Sequence, residues 1–289
     1  MLASTRFFDP FGEVSFPQEL KRMVRSACPQ SVLNWREARF YARYGEVELH
    51  LLDILCRRNR ESIDVGANDG SYVHFLRRSS RLVHAFEPMP ELADALSVKF
   101  AHSNVTVHRS ALSSEEGTAE LRMPVVDGVT VTGCSTISSD ASTKYAAHRT
   151  VAVPMHRLDN IYSGDVGFIK IDVEGHQQAV LEGALRTIQR NRPRMLVEVE
   201  DRLSPGGLAP ARAYFDALSY RGFFVYGGKL HPAEEFSVPV MQDPANLPDL
   251  TAPLTARQRF GRYVYNFLFL PSEEARTISA RLSERLAKL

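Results

Sequence analysis

The chain has 289 residues, 44% apolar and 24% charged, with 35 basic against 34 acidic side chains and a formal charge of +1. That composition excludes wholesale disorder, and the absence of a basic field argues against nucleic acid or an anionic membrane, so the expected partner is a small molecule or glycan. Cys28, Cys56 and Cys134 are widely spaced and odd in number, unlike a zinc site, and read as reduced thiols of a cytoplasmic protein.

The first residues, MLASTRFFDPFGEVSF, lack a charged segment followed by a long apolar core, so no secretory signal is expected. No stretch approaches the ~18 uninterrupted apolar residues of a membrane span. Residues 1–44 are expected to form an N-terminal extension, looping at first and then helical from Gln18 to Ala27, that contributes to the substrate site. Near-helical spacing of Leu49, Leu52, Ile54 and Leu55 predicts one helix running into the first strand, with Arg57, Arg58 and Arg60 at its carboxyl end.

SIDV is that strand, short and apolar as in a sheet buried on both faces. A helix in SYVHFLRRSS, a strand in LVHAFEP, a helix in ELADALSVKFAHS and a strand in VTVHRSAL follow, and TAELRMP is expected at a sheet edge. GFIKIDV, HQQAVLEGALRTIQRN and RMLVEVE read as strand, helix and strand. The alternation between about 60 and 200 predicts an α/β fold with a doubly wound, mostly parallel sheet. LAPARAYFDALSYRG and FFVYG add a helix and a strand, and five X-Pro dipeptides make residues 228–260 an irregular insertion in a domain spanning 45–270. YVYNFLFL is a last strand, and residues 271–289 an amphipathic helix that packs on its own domain or on a second copy in a homo-oligomer.

Chemistry concentrates at strand ends. In DVGANDG, Gly66 and Gly70 allow close approach of a ligand, and the next helix, opening at Ser71, offers free N–H groups. A dinucleotide turn needs Gly-x-Gly-x-x-Gly, whereas here two glycines flank three residues and Asp64 and Asp69 would repel a pyrophosphate. Acids at this point suit a cationic ligand such as S-adenosylmethionine, although a turn required only by topology would also carry glycines. Asp69 is the member expected to lie at the surface. Glu87, ending the next strand in HAFEP, can accept hydrogen bonds from two ribose hydroxyls, or cap the following helix. Ser110 and Ala111 offer a small polar edge and an apolar face to a purine.

Lys170, Asp172 and Glu174 alternate at the end of GFIKIDVEG, and His176 shares their face if the backbone stays extended past Gly175. Charges there must be paired or face a ligand, because burying them alone is costly.

Taken in order, IDVGANDGSY, HAFEP, ALSSEEG, RLDNI and IKIDVEGHQQAVLEGA resemble the FkbM-type methyltransferases, over about residues 45–200. The resemblance implies a Rossmann-like class I fold and S-adenosylmethionine-dependent methylation of hydroxyls on sugars, glycolipids, polyketides or other natural products. It assigns Asp64, Gly66, Ala67, Asn68 and Gly70 to the donor and Glu87 to its ribose, and Lys170 to Gly175 match the family's KIDVEG. The family's usual second glutamate is replaced here by Gln177.

The donor set is thus Asp64, Gly66, Ala67, Asn68, Gly70, Ser71, Glu87, Ser110, Ala111 and Asp172. Catalysis is expected from His176 as general base, Asp172 as the second choice, Glu174 orienting substrate or His176, and Lys170 beside them. No metal is expected, although Asp172, Glu174 and His176 could hold Mg²⁺ or Mn²⁺. The competing classes are a non-catalytic adenosyl-binding scaffold and a nicotinamide-dependent oxidoreductase, the latter opposed by the glycine spacing.

Overall fold

The computed structural model describes residues 28–126, 129–130, 134–138, 147–204, 206–247 and 260–289, so the expected helix from Gln18 to Ala27 lies outside the described residues. Five parallel strands form the heart of the main sheet: β1 (Glu61–Val65), β2 (Val83–Phe86), β3 (Val105–His108), β8 (Val166–Ile171) and β9 (Arg194–Glu198). Three antiparallel strands extend it, β10 (Tyr220–Tyr226), β11 (Lys229–Pro232) and β12 (Asn266–Pro271), in the order β11-β10-β12-β9-β8-β1-β2-β3. Every residue of β8 is buried, as its apolar run demands.

Alternation along each strand feeds two apolar layers. Leu196, Leu268 and Leu270 join the layer that holds the helices Val73–Ser79 and Ser272–Leu286, whereas Met195, Val197, Phe267 and Phe269 join the layer under Gln177–Gly183 and Leu208–Ala217. The terminal helix packs on its own domain through Ala275, Ile278, Leu282 and Leu286. Its Glu274 accepts from Arg57 and from Arg194, each at 2.8 Å.

A second sheet of β4 (Ala111–Leu112), β5 (Gly117–Val126), β6 (Val129–Thr130) and β7 (His148–His156), ordered β4-β7-β5-β6, stands beside the first. It corrects two expectations. VTVHRSAL is two strands in different sheets, because β2 stops before Pro88 and leaves β3 without a neighbour beyond His108. TAELRMP is no edge of the main sheet but lies between β7 and β6, and β7 went unread because Pro154 demotes its segment.

The helix expected after residue 45 is also broken, into a tight turn Val47–His50 and a short helix Leu52–Leu55. Its leucines are buried as expected, but the break leaves Glu46 and Glu48 lining the cavity described below. Upstream, residues Gln30–Tyr44 form a helix of 15 residues. HQQAVLEGALRTIQRN is likewise two helices, Gln177–Gly183 and Leu185–Asn191, meeting at Ala184. Within 228–260 the described residues hold β11 and three short turns of helix, Ala233–Glu235, Val238–Met241 and Pro244–Asn246. Among the described residues no helix is long and apolar enough to cross a membrane.

Candidate active site

Strand order reverses between β1 and β8, where an open α/β sheet has a crevice at its carboxyl edge. A cavity of about 680 Å³ opens there. The turn after β1 forms its floor. Gly66 has φ +80°, and a Cβ on it would lie 1.9 Å from the carbonyl oxygen of Asp172, so only glycine lets the turns after β1 and β8 meet. The N–H groups of Gly66 and Ala67 both donate to the Phe86 carbonyl at 3.0 Å, tying the turn to β2.

Asn68 adopts φ +48°, which aims its N–H at Oε2 of Glu87, 2.7 Å away. Met89 N–H donates to the other oxygen at 2.9 Å. The Glu87 carboxylate is thereby fixed at the cavity wall with lone pairs to spare. Burial pushes its pKa up to about 7, against the pull of these two N–H groups.

Of the sequence-based donor set, Gly66, Ala67, Asn68, Ser71, Glu87, Ser110, Ala111 and Asp172 line the cavity. Asp64 and Gly70 do not: Gly70 packs against Leu96 and Phe100, with φ +87°, and Asp64 lies fully buried beneath the turn. Lys170 Nζ sits 3.4 Å from Asp64 Oδ1 and 3.0 Å from Asp172 Oδ2, over the ring of Tyr72. Burial pushes Asp64 up to about 6, with Lys170 opposing. For Lys170, burial acts to lower the pKa, but the carboxylates of Asp172 and Asp64 outweigh it and hold the ammonium charged. Lys170 is a fixed cation, unable to act as a base. Asp69 is half-buried and lines the cavity, its carboxylate accepting from Tyr41 and from Ser71 N–H.

The expectation that Lys170, Asp172, Glu174 and His176 share one extended face does not hold. Positive φ at Glu174 (+47°) and Gly175 (+89°) turns the chain sharply after β8. His176 is carried away from the carboxylates, and its Nε2 pairs with Ser113 Oγ at 2.9 Å. Burial lowers its pKa, so the imidazole is neutral at pH 7. Thr136, bridged to Arg122 of β5, donates its Oγ1 to the Glu174 carbonyl at 2.7 Å and pins this turn.

A cation at this end would therefore meet Asp172, Glu174 and Glu198, whose oxygens lie within 4.8 Å of one another, and not the set with His176. Glu198 and Glu200 went unread in the sequence, although they alternate at the end of RMLVEVE just as Lys170 and Asp172 do in their strand. Arg202 and Tyr263 hold Glu200, the latter by a 2.8 Å hydrogen bond. Burial followed by a neighbouring carboxylate, Asp172 for Glu174 and Glu46 for Glu48, raises both acids to about 8.

Those shifts set a pH dependence of stability. An unfolded glutamate loses its proton near pH 4.3, whereas Glu48 and Glu174 keep theirs in the fold until about pH 8. Their contribution is present at low pH and lost as pH rises through the folded value, where only the folded chain still releases protons. The thermal midpoint of the ligand-free chain is expected to fall by several degrees from pH 7.5 to 9. A midpoint that rises or stays level would contradict these burials.

Carboxylates thus crowd a cavity lined, among the described residues, by the cations Lys170, Arg202 and Arg262, and residues 64–223, more than half of the chain, match the model of the methyltransferase FkbM domain. The chain belongs to the FkbM methyltransferase family. No curated protein matches it significantly. Among solved structures, an FkbM methyltransferase from Methylobacillus flagellatus is 16% identical, with a TM-score of 0.48, over 87% of this chain and 60% of its own. The O-methyltransferase TomG from Streptomyces achromogenes, solved with S-adenosylmethionine, is 12% identical with a TM-score of 0.38, over 76% of each chain. A putative methyltransferase from Streptococcus mutans, solved with S-adenosylhomocysteine, is 11% identical with a TM-score of 0.38, over 77% of this chain and 94% of its own. This FkbM chain therefore spans 60% of the Methylobacillus protein's length.

Proposed function

We propose that the chain is an S-adenosylmethionine-dependent O-methyltransferase acting on a hydroxyl of a sugar, glycolipid or other natural product. The observation that carries this reading is the joint between the turns after β1 and β8: Gly66 against the Asp172 carbonyl, with the fixed Glu87 carboxylate beside it. This is a cradle that a single Cβ would fill, lined by acids that disfavour phosphate and suit a cation.

In this reading Glu87 accepts from the ribose hydroxyls, Gly66, Ala67, Asn68 and Ser71 give backbone to the amino acid end, and Ser110 and Ala111 flank the adenine. When bound, S-adenosylmethionine supplies a methyl group already activated by its sulfonium. The chain then has to align an acceptor oxygen and remove its proton, and alignment alone is worth several orders of magnitude. His176, neutral and oriented by Ser113, takes that proton at a ring nitrogen, so the reading requires no metal. Tyr44, Phe260, Tyr263 and Tyr265, together with Glu46 and Glu198, line the cavity as well, and such aromatic faces and acceptors suit a polyhydroxylated acceptor.

Calorimetry with S-adenosylmethionine tests the donor half, and the absence of heat with intact protein would refute it. Mass spectrometry of a fractionated small-molecule extract, incubated with labelled donor, identifies the acceptor. His176→Ala is expected to lower kcat by about 10²-fold or more while leaving donor affinity within about twofold. A variant as fast as wild type would remove His176 as base and move the role to Asp172.

A further inference from the structure

The helix Gln30–Tyr44 carries a buried polar face. Asn34, Glu37 and Tyr41 recur three and four residues apart and are 8%, 8% and 3% exposed. Each grips the glycine turn or the helix behind it. Tyr41 donates its hydroxyl to Oδ2 of Asp69. Lys99 Nζ donates to Glu37 Oε1 at 2.8 Å and to the Asp69 carbonyl at 2.5 Å. Asn34 Nδ2 donates to the Lys99 carbonyl at 2.8 Å, and the other Glu37 oxygen lies 3.2 Å from Nε2 of His74, which is 0% exposed.

Asp69 stands between two left-handed residues, Asn68 and Gly70. A non-glycine residue in that region is held there by its surroundings, asparagine included although it tolerates the conformation better than most. Part of those surroundings, the Tyr41 hydroxyl, comes from a segment before the matched family domain, and the Asn68 N–H that contacts Glu87 depends on that conformation.

We propose that Tyr41 is a positioning residue for the methyl donor, acting through Asp69 to hold the turn in the shape that presents Asn68 and Glu87. The inference rests on the donor reading above. It makes the N-terminal helix part of the donor site, in addition to any part it takes in acceptor choice. Losing the hydroxyl removes one of the two hydrogen bonds on the Asp69 carboxylate, leaving the Ser71 N–H at 3.1 Å, which loosens Asn68 and weakens donor affinity, while His176 and its Ser113 partner lie elsewhere and keep their geometry.

The experiment measures S-adenosylhomocysteine affinity by calorimetry on the full chain as wild type, Tyr41→Phe, Asp69→Ala and the double variant. Tyr41→Phe keeps the ring and its packing and is expected to weaken binding about tenfold, as removal of a hydrogen bond to a charged group does. In the Asp69→Ala background the same substitution is expected to add less than about twofold. Once an acceptor is in hand, the KM for S-adenosylmethionine should rise about tenfold with kcat within about twofold. Wild-type affinity in Tyr41→Phe, or a full tenfold loss persisting without Asp69, would overturn the inference while leaving the donor reading intact. A wild-type chain that takes up no S-adenosylhomocysteine would overturn the donor reading itself.

Discussion

Gly66→Ala is expected to abolish S-adenosylmethionine binding and to lower stability by about 3 kcal/mol or more. Two effects add. At φ +80° an alanine is strained, by ~1–3 kcal/mol, and its Cβ would stand 1.9 Å from the Asp172 carbonyl oxygen. That oxygen cannot retreat freely, because Asp172 N–H donates to the Val65 carbonyl at 3.0 Å and holds the two turns together. Relief must come from parting β1 and β8, with an overpacking cost of ~1–3 kcal/mol. Gly206→Ala isolates the strain alone, since Gly206 has φ +71° and, among the described residues, nothing within 4 Å of its Cβ position. Urea denaturation of both variants, with calorimetry on each, separates the two effects. Retained binding in Gly66→Ala would show that the cradle is not the donor site.

Lys170→Met is expected to destabilise the chain by about 3–5 kcal/mol, because it strands the carboxylate of Asp64 in the core. Asp64 is 0% exposed, and neither of its oxygens has a well-directed hydrogen bond, so the nearby ammonium is its main compensation. Asp64→Asn with Lys170→Met removes both charges and should recover most of the loss, as buried pairs often tolerate joint replacement. Urea midpoints for the two single variants and the double complete the cycle. Additive losses would show that the pair is uncoupled and that Lys170 serves only Asp172. Lys170, expected beside the catalytic residues, is the ion-pair partner of both Asp64 and Asp172.

How much of this was written in the chain depends on how local the cause is. The glycine turn, Glu87 and the strands β1, β2, β8 and β9 follow from apolar runs and turn residues close in sequence, and they stand where those signals put them. His176 was misplaced because its position hangs on two positive φ angles, and a glutamate in the left-handed region leaves no compositional mark. Pairing across β7 and β5 joins segments tens of residues apart, and Pro154 hides one partner. The anchoring of Asp69 leaves no local signal because Tyr41, which donates to its carboxylate, lies 28 residues upstream. Glu198 and Glu200 are a different kind of omission, since the same reasoning that singled out Asp172 applies to them unchanged.

The place of β12 in the main sheet bears on how the chain comes together. It lies between β9 and β10, both of which are synthesised earlier, and hydrogen-bonds to each of them. The sheet cannot be continuous until β12 is made, because β9 and the hairpin of β10 and β11 are joined only through it. Leu268 and Leu270 on one side, and Phe267 and Phe269 on the other, complete both apolar layers only when β12 is in place. Any part of the sheet that forms before β12 leaves strand edges unpaired, the kind of surface that chaperones cover and that aggregation exploits.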